Sequence, residues 1–406
     1  MLTKRNYLRQ MEALLMKLNN KRLMVALLSS SLLIPSLAGC SSNTDKTTTT
    51  DKSSAVTQEE GNNEIKTIAA ELKSSLKSFN EAVSNKNSDK VKKTSEQLNY
   101  QWLSGESNIR ETFPLLYTEI EKYMIPLYSE ASTDKPDLAK IKELAVSLDE
   151  ALTKLENAKE TEEKSTAALD KAVEQYKLYV LDETSKLVSS TQDFTNAVKA
   201  KDVQKAKELY VEARTHYERI EPIAESFGEL DPKIDAREGD VDPSEWGGFH
   251  RIEKALWENE PLDSMASVAD QLYKDVLQLQ EEVKNLKLRP TEVVAGSISL
   301  INEASISKIT GEEERYSHVD LMDLGANVEG SFEIYNAILP ALIENDKELA
   351  SKLDLHFNQM TTILNSYKKN GQYVLYTELT KEQIREISQK LGVLSELMAQ
   401  TAKILQ

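Results

Sequence analysis

The chain has one cysteine, Cys40, in 406 residues. With no second thiol it can close no internal disulfide and build no thiolate metal cluster. Glycine (13) and proline (10) are also scarce, which argues against an all-β design, whose tight turns consume both. No glycine-rich phosphate loop is present. Basic residues are outnumbered 67 to 50, an imbalance that speaks against nucleic acid or an anionic surface as ligand and suits capture of a cation. Only four histidines occur, so the placement of each carries weight. What is abundant is Leu, Lys, Glu and Ala, the composition of helical bundles.

The first forty residues have a separate logic. Lys17, Lys21 and Arg22 precede a short apolar run from Leu23 to Ser36, closed by Leu37-Ala38-Gly39-Cys40. The pattern is that of a secretory signal (residues 1–39) ending in a bacterial lipobox, with Cys40 as the lipidated residue. The run is too short to span a bilayer, and a start at Met16 gives a conventional signal length. The expected location is the outer face of the cell membrane, held by the lipid on Cys40. Without residues 1–39 the chain keeps 44 basic and 66 acidic residues. Residues 40–61, rich in Ser and Thr, read as a disordered tether.

From 62 to 160 the apolar residues take three-and-four spacing: Ile65, Ile68, Ala69, Leu72, Leu76 and Phe79, then Trp102, Ile109, Phe113 and Leu116, then Ile141, Leu144, Leu148, Leu152 and Leu155. Asp134-Lys135-Pro136-Asp137 marks a turn. After the charged stretch Lys159–Lys164 a second helical domain spans 167–406. Its pattern lapses over 226–249, where Phe227-Gly228, Asp231-Pro232, Gly239-Asp240, Asp242-Pro243 and Gly247-Gly248 are turn signals. A loop that long inside a helical domain is usually functional or disordered. The fold class is all-α, with helical bundles in tandem.

Acidic residues gather around that loop. Glu218, Glu221 and Glu225 share a face of the helix entering it; Glu229, Asp231, Asp235, Glu238, Asp240, Asp242 and Glu245 lie within it. His250 and Glu253, three residues apart, share a face of the helix leaving it. Carboxylates converging with one imidazole suit a hard or borderline ion such as iron, manganese or calcium, and the imidazole favours a transition metal. Alone, HxxE is as well explained by a surface pair or a satisfied buried histidine. His216 and His356 read as structural. His318 follows the acidic turn 311–317 and precedes Asp320 and Asp323, a second acidic segment that folds against the first or simply starts a helix. Zinc-peptidase chemistry has little support: HExxH is absent, and HxxEH requires a histidine where Lys254 stands. No GxSxG is present.

Four ordered motifs, YERIEPIAE (217–225), DPKIDARE (231–238), GFHRIEKALW (248–257) and GEEERYSH (311–318), together resemble the EfeO family, the imelysin-like component of EfeUOB iron uptake systems, over roughly residues 167–406. The resemblance implies a double four-helix-bundle domain with a metal site between its halves, and iron, ferrous or ferric, as the ion, with zinc or another divalent metal binding in vitro. It implies Glu218, Glu221, Asp235, His250, Glu253 and Glu313 as ligands, with Arg237, Arg251 and Arg315 orienting carboxylates. It also implies an EfeU-type permease and an EfeB-type haem peroxidase as partners. Residues 62–160 contain no Cys and no His, so the copper-binding cupredoxin domain of many members has no counterpart. The spacing Trp102…Glu106…Arg110…Tyr117…Glu121 is loosely similar to helical domains attached to Gram-positive iron permeases. The expected function is a lipid-anchored protein that captures iron, with weaker binding as ligands protonate at low pH. The alternatives are an imelysin-like zinc metallopeptidase and a cation-dependent polysaccharide-binding surface protein.

Overall fold

The computed structural model describes residues 52–133, 135–159 and 166–405. Cys40 and the leader lie outside them, as does most of the charged stretch 159–164. Among the described residues the fold is helical apart from one hairpin of two two-residue strands. Among the described residues no helix is long and apolar enough to cross a membrane.

Four helices form the first unit: α1 (Lys52–Ser84), α2 (Ser88–Thr112), α3 (Pro114–Ala131) and α4 (Leu138–Glu156). Each packs on its chain neighbour and α4 returns to α1, closing an antiparallel four-helix bundle. The three-and-four rows from the sequence fill its centre, with Ile65, Leu72, Phe79, Ile141, Leu148 and Leu155 all buried. Two boundaries differ from expectation. Helix α1 already begins at Lys52, inside the stretch expected as a tether. The second segment is two helices, because Pro114 has no N–H and forces Phe113 out of helical geometry (φ −133°, ψ 62°). Asn87 and Asp137 cap α2 and α4 by accepting from backbone N–H groups one turn on.

The second unit comprises α5 (Ala167–Lys199), α6 (Val203–Ile220), α7 (Asp231–Asp235), α8 (Gly248–Trp257), α9 (Met265–Asn285), α10 (Pro290–Ile306), α11 (Asp320–Asn345), α12 (Lys347–Ser366) and α13 (Lys381–Gln400). Helices α5, α6, α9 and α11 form one half, and α10, α11, α12 and α13 the other, so α11 belongs to both. Its Leu321, Leu324, Val328, Ile334, Ile338 and Leu342 lie in one continuous core with residues from Leu169 to Leu405. A helix buried on both flanks must be apolar nearly all round. That makes the polar residues on it conspicuous.

The stretch 226–249 is less irregular than its turn signals suggest. A 3₁₀ helix covers Glu221–Leu230 and α7 follows at once. Pro222 and Pro232 stand at the first turns of these helices, where a missing N–H costs nothing. Between α12 and α13 the strands β1 (Lys368–Lys369) and β2 (Gln372–Tyr373) pair antiparallel, a hairpin too short to leave a periodic signal.

Candidate metal centre

Helix α6 carries Arg214 and Glu218 one turn apart, α7 ends on Asp235, and α8 presents His250 and Glu253. The segment between α10 and α11 supplies Lys308, Glu313 and Glu314, and α11 adds Asp320, Asp323 and Asn327. All of these but Asp235 are buried, and Glu221, just past the end of α6, is half-buried beside them. Helix α8 reaches this centre because Gly248 (φ +73°) passes tightly over α7. A Cβ there would lie 2.3 Å from the Ile234 carbonyl oxygen, so only glycine fits.

His250 is held from one side. Its Nδ1 lies 2.9 Å from Glu253 Oε2, and Glu253 Oε1 accepts from the N–H groups of Tyr316 (2.9 Å) and Ser317 (2.8 Å). The far nitrogen, Nε2, is buried without a hydrogen-bond partner. It faces Asp235 Oδ1 at 3.4 Å and Glu313 Oε1 at 3.9 Å. A carboxylate fixing one ring nitrogen so that the other points at an ion is how ligating histidines are usually oriented. Two triads bring ligand atoms within 4.8 Å of one another, Asp235–His250–Glu313 and His250–Glu253–Glu314. The first has the freer ligand capacity. In the second, Glu253 is filled by the donors just named, and Glu314 accepts from Tyr210 Oη (2.9 Å), Arg214 Nε (3.1 Å) and Ser317 Oγ (2.6 Å).

Two buried cations stand among the acids. Arg214 donates to Glu218, Asp235 and Glu314. Lys308 Nζ lies 2.6 Å from Glu221 Oε1 and 3.1 Å from Glu218 Oε2, while Asn327 Nδ2 donates to the same two carboxylates at 2.7 and 2.8 Å. Arg237 completes the set by donating to Glu313 Oε2 at 3.0 Å. The eight carboxylates Glu218, Glu221, Asp235, Glu253, Glu313, Glu314, Asp320 and Asp323 thus face three permanent cations and one imidazole. Both oxygens of Asp323, Oδ2 of Asp320 and Oδ1 of Asn327 have no hydrogen-bond partner. Burying so much unbalanced negative charge is costly unless a cation or protons offset it.

The titration behaviour divides accordingly. Burial, with the charge of Glu253, pushes Glu314 up to about 8, and burial lifts Asp320 to about 6. Burial and neighbouring carboxylates raise Asp323 and Glu221 well above the ordinary range. For Glu313 burial acts the same way, but the charges of Lys308 and Arg237 outweigh it and hold the group at about 2. Glu218 is likewise lowered against burial by Arg214 and Lys308. Burial disfavours the charged form of His250, yet the nearby carboxylates of Asp235 and Glu253 raise it to about 10.

The structure therefore gathers Glu218, Glu221, Asp235, His250, Glu253 and Glu313 into one region, with Glu218 and Glu221 turned to Lys308. Arg237 stands behind Glu313. Arg251 and Arg315 do not reach the cluster: Arg251 pairs with Glu260, and Arg315 donates to the carbonyls of Glu312 and Glu238. Of the other acids in 226–249, Glu238 bonds Lys254 and Tyr316, Asp240 bonds Arg237, and Asp242 caps its own turn at Ser244. The side chains of Glu225 and Glu229 lie outside the described residues. His216 Nδ1 meets Glu183 Oε2 at 2.7 Å, a structural pairing. Sequence reading missed Arg214, Lys308, Glu314 and Asn327. The spacing of Arg214 to Glu218 was available as a signal; for Lys308 none was.

Two helical halves sharing a buried, acid-rich centre with one poised imidazole define an imelysin-type domain. A profile of the imelysin family (peptidase family M75) matches residues 172–403, and the chain belongs to that family, among the EfeM/EfeO iron uptake components. It is 44% identical over 358 residues to the iron uptake system component EfeM of Bacillus subtilis (strain 168), covering 86% of this chain and 93% of that protein. It is 44% identical over 243 residues to the iron uptake system component EfeO of Escherichia coli (strain K12), covering 59% of this chain and 64% of that protein. These relatives are named as uptake components rather than peptidases.

Proposed function

We propose that this chain captures iron outside the cell membrane, anchored by a lipid on Cys40, and passes it to an EfeU-type permease that works beside an EfeB-type haem peroxidase. The observation that carries the reading is His250 Nε2, buried, without a partner and facing Asp235 and Glu313. Asp235, His250 and Glu313 form the seat; Glu253 fixes the imidazole, and Glu218 and Glu221 close the cluster through Lys308. Oxygen donors with a single imidazole suit iron in either oxidation state and admit zinc. The stretch between α7 and α8 is tied back to the end of α7 by Trp246 Nε1, which donates to the Ala236 carbonyl at 2.8 Å. A peptidase reading finds no support in Lys254, whose ammonium bonds Glu238 at 2.7 Å.

Changing His250 and Glu253 together to alanine should abolish tight iron binding while the helical circular dichroism is kept. In cells the same change should stop iron uptake, and Cys40→Ser should release the protein from the membrane fraction. Glu253→Gln alone, which leaves the ring in place but loosens its orientation, should weaken iron about 10–100-fold. Unchanged affinity in the double variant would sink the site. A loss with Glu253→Gln as complete as with His250→Ala would make Glu253 a direct ligand.

A further inference from the structure

The Lys308 ammonium sits where three carboxylates meet. Its Nζ lies 2.6 and 2.7 Å from the two oxygens of Glu221, 3.1 Å from Glu218 Oε2 and 3.8 Å from Glu313 Oε1. The side chain is 2% exposed. One Glu313 oxygen, Oε1, is therefore common to two places: 3.8 Å from this ammonium and 3.9 Å from His250 Nε2. Adjacent cation positions joined through a shared carboxylate are the plan of two-metal sites. Here one position already holds a charge, built into the chain.

We infer that Lys308 is a resident cation filling the second of two adjacent seats, and that it limits the chain to one bound metal ion. The inference rests on the reading that the His250 seat takes the cargo ion. Two features favour a seat over an ordinary ion pair. Three carboxylates converge on one ammonium, and although Arg214 also bonds Glu218 and Arg237 bonds Glu313, a divalent ion there would offset more of their charge. Asn327, fully buried, donates to Glu218 and Glu221 through Nδ2 while its Oδ1 has no partner; turning the amide over offers that oxygen to an ion as a further ligand. With the ammonium in place the second seat is closed, and the cargo ion shares Glu313 with a lysine rather than with another metal.

The test counts Mn²⁺ bound per full-length chain, by calorimetric titration and metal analysis after dialysis, and records electron paramagnetic resonance of the loaded protein. Wild type should hold one ion with an uncoupled signal. Lys308→Ala should hold two, twice the wild-type count, with the exchange-coupled spectrum of neighbouring Mn²⁺ ions, and adding Glu221→Gln should return the count to one. Lys308→Ser serves where the alanine variant folds poorly, and Mn²⁺ should restore the fold of either by replacing the lost charge. The inference is overturned by one ion in both Lys308 variants, by two in wild type, by a second ion without exchange coupling, or by failure of both variants to fold in excess Mn²⁺. No ion in wild type removes the His250 seat itself and the inference with it.

Discussion

Arg214 shows how much of this centre depends on one side chain. Its guanidinium is fully buried, donates to three carboxylates, has Asp323 Oδ1 at 4.0 Å, and lies over the rings of Tyr217 and Phe249 at 5.7 Å. Removing one partner from a buried ionic network leaves the others uncompensated, so Arg214→Ala should cost about 3–5 kcal/mol. Arg315, exposed and bonded only to carbonyls, should change stability by about 0.5 kcal/mol or less on the same substitution. Urea unfolding of the metal-free variants checks the pair, and similar losses at both positions would contradict this account. The sequence offered unequal help here. His250 with Glu253 and Arg214 with Glu218 sit at spacings that any helix turns to one side. Lys308 starts a 3₁₀ turn 90 residues from Glu218; its burial comes from tertiary packing, which no local pattern encodes.

Helices were legible where one flank is apolar and the ends are marked. Asp202 and Thr380 cap α6 and α13 with bonds to the N–H groups of Lys205 and Gln383, and periodicity did the rest. The break at Pro114 and the hairpin at 368–373 were not read, because a proline that starts a helix keeps the apolar spacing intact and two-residue strands have no period. Pairing between elements was equally hidden. Glu183 on α5 is gripped from α6 by His216 and Arg219 (3.3 Å) and on its own helix by Lys186 (2.8 Å). Burial alone would raise its pKa; the bonds to His216 and Lys186 and the charge of Arg219 prevail and hold it at about 2. A carboxylate lowered on folding adds stability that is complete above its ordinary value and lost as pH falls toward the folded one, here on the order of 3 kcal/mol. Between those two pH values the wild type should therefore lose stability more steeply than Glu183→Gln in denaturant titrations. Parallel slopes would show that the α5–α6 contact is indifferent to this charge.

The two units have separate hydrophobic cores and meet where α3 packs on α10. Glu121 sits at that seam: Oε1 accepts from Trp102 Nε1 inside the first bundle and Oε2 from Ser299 Oγ across the boundary, each at 3.3 Å. Trp102 in turn stacks on Tyr117 at 5.6 Å. Trp102, Tyr117 and Glu121, which the sequence set apart, thus build a core and a joint, and the candidate metal centre is made of residues of the second unit. Glu121→Ala should lower the melting of the first bundle in calorimetry by the equivalent of about 1–3 kcal/mol and leave iron affinity within twofold. A comparable drop in iron affinity would reveal coupling between the units.

The order in which the centre's parts occur along the chain has a consequence in time. Asp235 and His250 come first, already past the middle of the chain. Glu313 comes only after α9 and α10, 76 residues beyond Arg237, which holds it. Its segment is then fastened from further on still, where the Tyr376 N–H donates to the His318 carbonyl at 2.8 Å, its hydroxyl to the Ile309 carbonyl at 2.7 Å, and its ring lies where a Cβ on Gly311 would be. A chain that stops before Glu313 keeps His250 and Asp235 but lacks the second carboxylate that faces Nε2. On the proposed reading, iron binding thereby needs the last quarter of the protein in place.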